Sequence, residues 1–321
     1  MDLPVSERIT KNVIQNGSKT ATSITQTSFL SSYRNQSFSL PDSIMFYMAK
    51  NPPSAEIYQK LIQSCKYFFV KNPLLVASKL WFHCDDAGQW QTLINKKVVD
   101  FNSVAAKTWV TDEVVVNVDW SEEEFRGENR HNVLSDFMQH IYRCDAKKLS
   151  LCEQNISFKD FVFLASKCEE ISLGAIVDKA VDETSIAAIR DEEGTVVPLE
   201  TLFEAIPFVK DFSYFFGYTG FGISSDTVKK LVKIPHFLNL TELYFQFLPD
   251  CFDIDTFFTY IKQNKKTMIN LTFSDEMFET HRLKSIVREI IQAENHPYRP
   301  PYIHFPDMSR SFYNKLCELF Y

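Results

Sequence analysis

The sequence predicts an α+β protein in which a short helical segment and a β-rich connector precede a run of strand–helix units. Three observations lead to this prediction. Two amphipathic helical segments come first in the chain, and a segment with strand-like alternation follows them. A short apolar pattern then recurs to the end of the chain. We therefore divide the chain into a tail (1–37), a helical segment (38–79), a β-rich connector (80–120) and a C-terminal domain (121–321).

The composition is that of an ordinary globular protein with an aromatic core. The 321 residues include 29 Phe but only 8 Gly, so glycine-rich phosphate loops are disfavoured. A net charge of −7, without Lys/Arg-rich clusters, argues against nucleic-acid binding. The seven scattered cysteines form no C-x-x-C pair, so neither a disulfide framework nor a zinc site is indicated. We expect no catalytic residue, no cofactor and no metal.

The N-terminal residues predict a disordered tail. Residues 6–38 are rich in Ser, Thr, Asn and Gln, and such polar text buries too little apolar surface to fold. The chain begins without an apolar signal core, and it contains no uncharged apolar run of about 18 residues. Scattered cysteines that stay reduced are typical of proteins of the cytoplasm and nucleus. We therefore expect a cytoplasmic protein, or a nuclear one, without a membrane partner.

The helical segment reads as two short amphipathic helices. Pro41 suits the first turn of a helix, where its missing N–H costs nothing, and Asn51-Pro52-Pro53 ends that helix. Ser54 is placed to cap the second helix. The apolar positions recur at helical spacing, at Ile44, Met45 and Met48 in the first helix and at Ile57, Leu61, Cys65 and Phe68 in the second.

Residues 80–120 read as β structure. The text LWFHCDDAGQWQTLI predicts a hairpin that turns near Asp86-Ala87-Gly88. VVDF and VVVNV are two further strand candidates. Ser121 and Glu124 then have the spacing of a capping box, which predicts a return to helix.

A strand-like pattern, apolar-x-x-apolar-x-apolar, recurs in the C-terminal domain at intervals of 22 to 41 residues. Helical stretches fill the gaps, with caps expected at Ser157, Asp253, Ser274 and Ser309. Units of this length are typical of a leucine-rich-repeat solenoid, which we predict in an irregular form; an irregular α/β domain is the alternative. The instances are Cys168/Ile171/Leu173, Val209/Phe212/Tyr214, Leu240/Leu243/Phe245 and Met268/Leu271/Phe273, with weaker versions at Leu149/Leu151 and Ile303/Phe305.

Residues 40–69 resemble the F-box. The motif of that family opens with Leu-Pro, an acidic or polar pair and Ile, which Leu40-Pro41-Asp42-Ser43-Ile44 matches. It closes with a small residue, Cys, a basic residue and an aromatic run, which Ser64-Cys65-Lys66-Tyr67-Phe68 matches. The match needs about one extra residue near Pro52, and Phe68 stands where Trp is common. The text is similar to the divergent F-box proteins that nematode lineages have multiplied.

This resemblance implies a non-catalytic subunit of a ubiquitin ligase. An F-box binds a Skp-family adaptor, which joins it to a cullin, and the rest of the chain selects the protein to be ubiquitinated. The two helices carry more apolar surface than they can bury alone, so we expect this surface to bind another protein. The alternative is that it packs on residues 80–120. The expected adaptor-binding residues are Leu40, Pro41, Ile44, Met45, Met48, Ile57, Leu61, Cys65 and Phe68.

The recurring pattern also predicts a surface for the target protein. The apolar positions of each strand point into the core, so the residues between and beside them face outward on one sheet face. Aromatic side chains in a polar field resemble interface anchors, although helices or the C-terminus covering this face are the alternative. The polar outward residues include Glu170, Ser172, Asp211, Ser213, Glu242, Gln246, Asn270 and Thr272, and the expected target-binding residues are Phe215, Tyr244, Tyr302 and His304.

The resemblance to the F-box implies a substrate-recognition subunit of a Skp–cullin–F-box ubiquitin ligase. The alternative is a repeat scaffold that binds a protein partner without a ligase. An enzyme hidden in residues 121–321 is disfavoured. The glycine cluster from Gly217 to Gly222 lacks the Lys and Ser/Thr that engage nucleotide and Mg²⁺, and neither H-E-x-x-H nor G-x-S-x-G occurs.

Overall fold

The protein combines helices with strands that pair mostly in parallel. The computed structural model describes residues 37–84, 89–100, 106–117, 130–174, 187–217, 222–274 and 280–320. The predicted tail lies outside these ranges apart from Ser37. The chain divides into two compact units, of which the first includes the described parts of Met1–Val115 and Asp136–Ala146, and the second those of Val116–Val118, Glu128–Ser135 and Lys147–Tyr321.

Three short helices open the first unit: α1 (Asp42–Lys50), α2 (Ala55–Ser64) and α3 (Lys66–Lys71). The Ser54 hydroxyl accepts the N–H of Ile57 at 3.2 Å, which confirms the predicted cap of α2. Cys65 has an extended backbone between α2 and α3, and its thiol accepts the N–H of Tyr67. The second predicted helix is therefore two helices, and Phe68 lies in α3.

The first unit also contains a five-stranded part of the sheet. Cys84 pairs with Trp90, which confirms the hairpin, although its turn near Asp86 lies outside the described residues, as does the capping box predicted at Ser121. The first four residues of VVVNV fall in the fourth strand, and of VVDF Val98 ends a two-residue strand. Phe101 and Val118 lie outside the described residues. The strands are β1 (Leu74–Cys84), β2 (Trp90–Ile94), β3 (Lys97–Val98), β4 (Lys107–Asn117) and β5 (Ile141–Cys144), in the spatial order β5-β4-β1-β2-β3.

The second unit is built on parallel strands that follow one another in chain order. They are β6 (Lys148–Cys152), β8 (Glu170–Gly174), β10 (Asp211–Phe215), β11 (Glu242–Leu248), β12 (Met268–Phe273) and β13 (Tyr302–His304), whereas β7 (Asn155–Ser157) and β9 (Ala188–Arg190) form a separate parallel pair. Ile171 lies opposite Phe212, and Phe212 opposite Leu243, as the recurring pattern predicts.

The register corrects the last instances of the pattern by two residues. Leu243 lies opposite Ile269, so Leu271 is the partner of Phe245 and not of Leu243. Ile303 in turn lies opposite Leu271. Because side chains alternate with a period of two, a shift of two residues leaves Leu271 and Phe273 on their predicted inward face. Met268 is the exception: it was predicted to point inward, but it lies opposite Glu242 and is only half-buried.

Helices connect the parallel strands of the second unit. The hydroxyl of Ser157 and the carboxylate of Asp253 accept the N–H groups of Asp160 and Thr256, which confirms two predicted caps, and Ser309 accepts from Phe312. None of the described helices is long and apolar enough to cross a membrane. The connecting helices are α5 (Phe158–Ala165), α6 (Leu199–Glu204), α7 (Thr227–Leu231), α8 (Ile254–Gln263) and α9 (Thr280–Gln292), whereas α4 (Val133–Phe137) precedes β5 and α10 (Arg310–Phe320) follows β13.

Helix α6 was not predicted from the sequence. Its signal is present, because Leu199, Leu202 and Phe203 follow Pro198 at helical spacing and all three are buried.

Phenylalanine rings fill the core of the second unit. Phe203 packs on Phe212 and on Phe237, with centroids 4.5 and 5.0 Å apart. Phe245 lies 5.4 Å from Phe216 and contacts Phe257 as well. Offset and edge-to-face pairs of this kind add to the free energy gained by burial alone. The high Phe content therefore serves the core that the parallel strands share with their helices.

We predict that Phe245→Ala lowers the free energy of unfolding by about 3–5 kcal/mol, because it leaves a cavity among the packed rings. Urea denaturation followed by circular dichroism measures this change. Phe208→Ala is the matched control, since Phe208 is 59% exposed and its loss should change stability by about 0.5 kcal/mol or less. Equal effects of the two substitutions would contradict the described core.

Candidate protein-binding surfaces

A buried tyrosine ties the N-terminal helices to the first sheet. The Tyr58 hydroxyl donates to the carbonyl oxygen of Asn72 at 2.7 Å and accepts the N–H of Leu74 at 3.0 Å. The side-chain amide of Asn72 donates to the carbonyl oxygen of Ala49 at 3.0 Å. One polar network thus joins α1, α2 and the start of β1. Burial of Tyr58 raises the pKa of its hydroxyl far above the ordinary value.

An apolar cluster surrounds this network. Trp109 of β4 is fully buried in it, and the indole N–H donates to a carboxylate oxygen of Asp145 at 2.8 Å. One side of the N-terminal helices therefore packs against β1 and β4. The cluster consists of Met45, Ala49, Ala55, Tyr58, Ile62, Phe68, Leu74 and Trp109.

The nine residues predicted to bind the adaptor fall into three groups by exposure. Two of them are core residues and not surface residues, because they lie in this cluster at 5% or less exposure: Met45 and Phe68. Three more are half-buried against it: Met48, Leu61 and Cys65. The other four are exposed: Leu40, Pro41, Ile44 and Ile57. Packing on the β-rich connector thus accounts for one side of the helices and leaves the other side open.

Two further aromatic residues of α1 are exposed, and neither was among the residues predicted to bind the adaptor. Phe46 is 48% exposed and Tyr47 is 66% exposed. The signal was the run Ile-Met-Phe-Tyr-Met, which is apolar around most of the helix and not on one stripe only. We call the exposed set the N-terminal patch, and it comprises Leu40, Pro41, Ile44, Phe46, Tyr47 and Ile57.

The second candidate surface is the outward face of the parallel sheet, which we call the outer face. The strand register places its side chains in two rows. The first row carries Lys148, Glu170, Asp211, Glu242 and Met268, and the second carries Ser150, Ser172, Ser213, Tyr244, Asn270 and Tyr302.

Of the four residues predicted to bind the target, Phe215 is not on the surface. Its side chain is 1% exposed and its ring lies 4.7 Å from the ring of Phe247. A β-bulge interrupts β11 between Phe245 and Leu248, and Phe247 has a left-handed backbone with φ 58°. This bulge places the Phe247 ring over a position that a regular strand leaves open.

The C-terminal helix covers one end of the outer face. The ring of Tyr302 lies 6.2 Å from Tyr313 and 5.8 Å from Phe320, and the ring of His304 lies 6.4 Å from Tyr313. Tyr302 and His304 are therefore half-buried under α10. Tyr244 is half-exposed in the middle of the face. Of the predicted anchors, Tyr244 is the one best placed to meet a partner.

A shallow depression of about 150 Å³ lies beside Tyr244. The small side chains of Ser172 and Ser213 leave this space, and Tyr244 lines it on one side. Lys148, Glu170 and Asp211 supply its charged groups. The depression is large enough for the head group of a side chain and not only for a single water molecule.

The first row of the outer face is electronegative at its centre. Lys148 pairs with Glu170 at 3.1 Å, and just outside the row Glu169 pairs with Lys147 and Lys210. Partial burial, together with the charges of Glu242 and Glu170, raises the pKa of Asp211 despite the nearby Lys210. Oδ1 of Asp211 is shielded from solvent and has no hydrogen-bond partner among the described residues.

Comparisons of the chain with protein-family models, with curated proteins and with solved structures find no match. Function is therefore inferred from the residues and contacts of the N-terminal patch and the outer face. Within the described ranges, no three His, Cys, Asp or Glu side chains come together as the ligands of a metal ion do.

We predict that Tyr58→Phe lowers the free energy of unfolding by about 1–3 kcal/mol at neutral pH, because the Leu74 N–H loses its buried acceptor. The fold favours the neutral hydroxyl, so its contribution is complete below the ordinary Tyr pKa of about 10 and is lost as the pH rises toward the raised folded pKa. Urea denaturation at several values between neutral pH and about pH 11 should show the difference from the wild type shrinking.

Tyr47→Phe is the matched control for this prediction, since the Tyr47 side chain lies on the exposed side of α1. It should leave stability unchanged across the same pH range. A Tyr58→Phe protein as stable as the wild type would show that the network does not hold the helices in place.

Proposed function

We propose that this chain is an F-box-type substrate receptor, which joins a target protein to a Skp–cullin ubiquitin ligase. The observation that carries the proposal is the exposure of Leu40 and Ile44, at 46% and 45%, in the Leu-Pro opening of the segment that resembles the F-box. Large apolar side chains held in water favour a protein partner. The N-terminal patch is the proposed contact with the adaptor.

The buried side of the same helices supports this proposal. A binding surface gains affinity when little ordering is needed on association. The apolar cluster and the Tyr58 network hold α1 and α2 against the sheet, so their exposed side chains are presented from a fixed base. Burial of apolar area against an adaptor then contributes about 25 cal/mol per Å² before the costs of association.

For the second unit we propose an irregular leucine-rich-repeat-like solenoid that binds the target. Parallel strands in chain order, joined through helices, support the repeat interpretation. The proposed target-binding surface is the outer face, with Tyr244 as its central anchor. Tyr302 and His304 contribute where α10 leaves them accessible.

The alternative is a repeat scaffold that binds a protein partner without a ligase. One observation favours it, namely the burial of Met45 and Phe68, which leaves the N-terminal patch smaller than the full set of F-box positions. The two functions differ in whether a Skp-family adaptor binds directly.

We predict that changing Leu40, Pro41 and Ile44 together to Ala abolishes adaptor binding and leaves the melting temperature unchanged. A central anchor typically contributes ~2 kcal/mol, which is about 30-fold in affinity, so the loss of three should be decisive. The measurement is a pull-down of the purified full-length chain with a purified Skp-family adaptor, followed by size-exclusion chromatography.

A matched control replaces three exposed apolar residues of the second unit, Phe163, Phe208 and Leu238, by Ala. This variant removes a similar amount of exposed apolar surface and should retain adaptor binding. If the wild-type chain binds no adaptor, or if the first triple variant binds as well as the control, the scaffold function replaces the receptor function.

A further inference from the structure

We infer that the outer face binds an extended basic segment of the target protein and seats an arginine head group in the depression between Asp211 and Tyr244. This inference rests on the proposed function of the second unit as a target receptor, and it specifies the chemistry of the target.

Charge is the first reason. Glu170, Asp211 and Glu242 are paired positions on three neighbouring parallel strands. Parallel strands lie about 4.8 Å apart, so neighbouring carboxylates of this row are separated by about that distance. Lys148 is the one cation of the described first row, and Glu170 already engages it. In the described part of the chain, Asp211 and Glu242 form no ion pair. Lys210 lies near Asp211, but its ion pair is with Glu169. The centre of the row therefore has a net negative charge that complements a cationic partner.

The state of Asp211 is the second reason. Asp211 is half-buried, and partial burial of its carboxylate raises its pKa although the charge of Lys210 and the backbone N–H of Glu242 act in the opposite direction. Two neighbouring carboxylates add to the cost of its charge, which the raised pKa reflects. A cation with N–H donors placed beside this carboxylate supplies both the opposite charge and a charge-assisted hydrogen bond. A proton is the competing ligand at low pH.

The shape of the depression favours arginine over lysine. Its floor is low because Ser172 and Ser213 are small, and their hydroxyl groups are potential acceptors for further N–H donors. The Tyr244 ring on one side offers a face for a planar guanidinium. A guanidinium donates in several directions in one plane and stacks on aromatic rings, whereas an ammonium is a compact and strongly hydrated charge.

The length of the outer face favours an extended segment. From β6 to β13 the six strands span about 24 Å, which about seven residues of extended chain can cross. The half-buried side chains along the second row leave this path open up to Tyr302, where α10 begins to cover the face. Nucleic acid does not suit this surface, because its phosphates meet the carboxylate row.

The test uses the full-length chain and three fluorescein-labelled peptides of nine residues, in which Ser alternates with Arg, with Lys or with Glu. Fluorescence anisotropy should give the tightest binding for the Arg peptide, at least threefold weaker binding for the Lys peptide and none for the Glu peptide. Affinity for the Arg peptide should fall when the salt concentration rises, since exposed charges are screened.

Variants locate the binding. Asp211→Asn combined with Glu242→Gln should weaken binding of the Arg peptide at least tenfold, and Tyr244→Ala should reduce the preference for Arg over Lys. The matched control, Glu192→Gln combined with Glu193→Gln, makes the same charge change at exposed positions of a turn after β9 and should alter affinity less than twofold. Asp211→Asn removes a poorly compensated charge, so the melting temperature should stay the same or rise.

Equal loss of binding in the two double variants would overturn the inference, because attraction to the overall negative charge then explains the binding. Binding of the Glu peptide, or no binding of the Arg peptide, would overturn it as well. The adaptor result is separate: a chain that binds the Arg peptide through Asp211 but no adaptor supports the inference and refutes the ligase. Target capture that depends on Tyr244 but not on Asp211 or Glu242 supports the receptor function and refutes the basic segment.

Discussion

The shared register of six parallel strands determines most of what this protein presents to its surroundings. Phe212, Leu243 and Phe245 point inward because the helices bury them, and the alternation of side chains then sends Asp211, Ser213 and Tyr244 outward. A slip of one residue in any strand would exchange the two sets, exposing aromatic rings and burying carboxylates. Burial of the inward aromatic side chains therefore fixes which side chains lie on the outer face.

A similar division of labour governs the N-terminal helices. Tyr58 and Trp109 anchor one side of them, and their polar atoms are satisfied by backbone carbonyls and by Asp145. The other side keeps Leu40, Ile44 and Tyr47 in contact with water. Burying one face so firmly limits how far the exposed face can rearrange to hide its own apolar groups. The free-energy cost of exposing these apolar groups therefore persists in the isolated chain.

Sequence alone was sufficient where a few neighbouring residues decide the outcome. The caps at Ser54, Ser157 and Asp253, the hairpin of β1 and β2 and the alternation of inward and outward positions all belong to this class. It failed where distant parts of the chain meet. Phe215 is buried because a bulge in another strand moves Phe247 over it, and Tyr302 is half-buried because α10 returns to it. Of the residues predicted to bind the adaptor, Met45 and Phe68 are buried because they pack in one cluster with Trp109, which lies far along the chain.

The edge strand β13 determines whether another chain can add a strand to the sheet. A free parallel edge offers a row of backbone donors and acceptors to any chain that can pair with it. Here β13 is only three residues long, Pro300, Pro301 and Pro306 lack N–H donors on either side of it, and rings of α10 pack on Tyr302. The strand is thus a poor template for a second molecule. The protein carries its own protection against edge-to-edge aggregation at the point where its stack of strands ends.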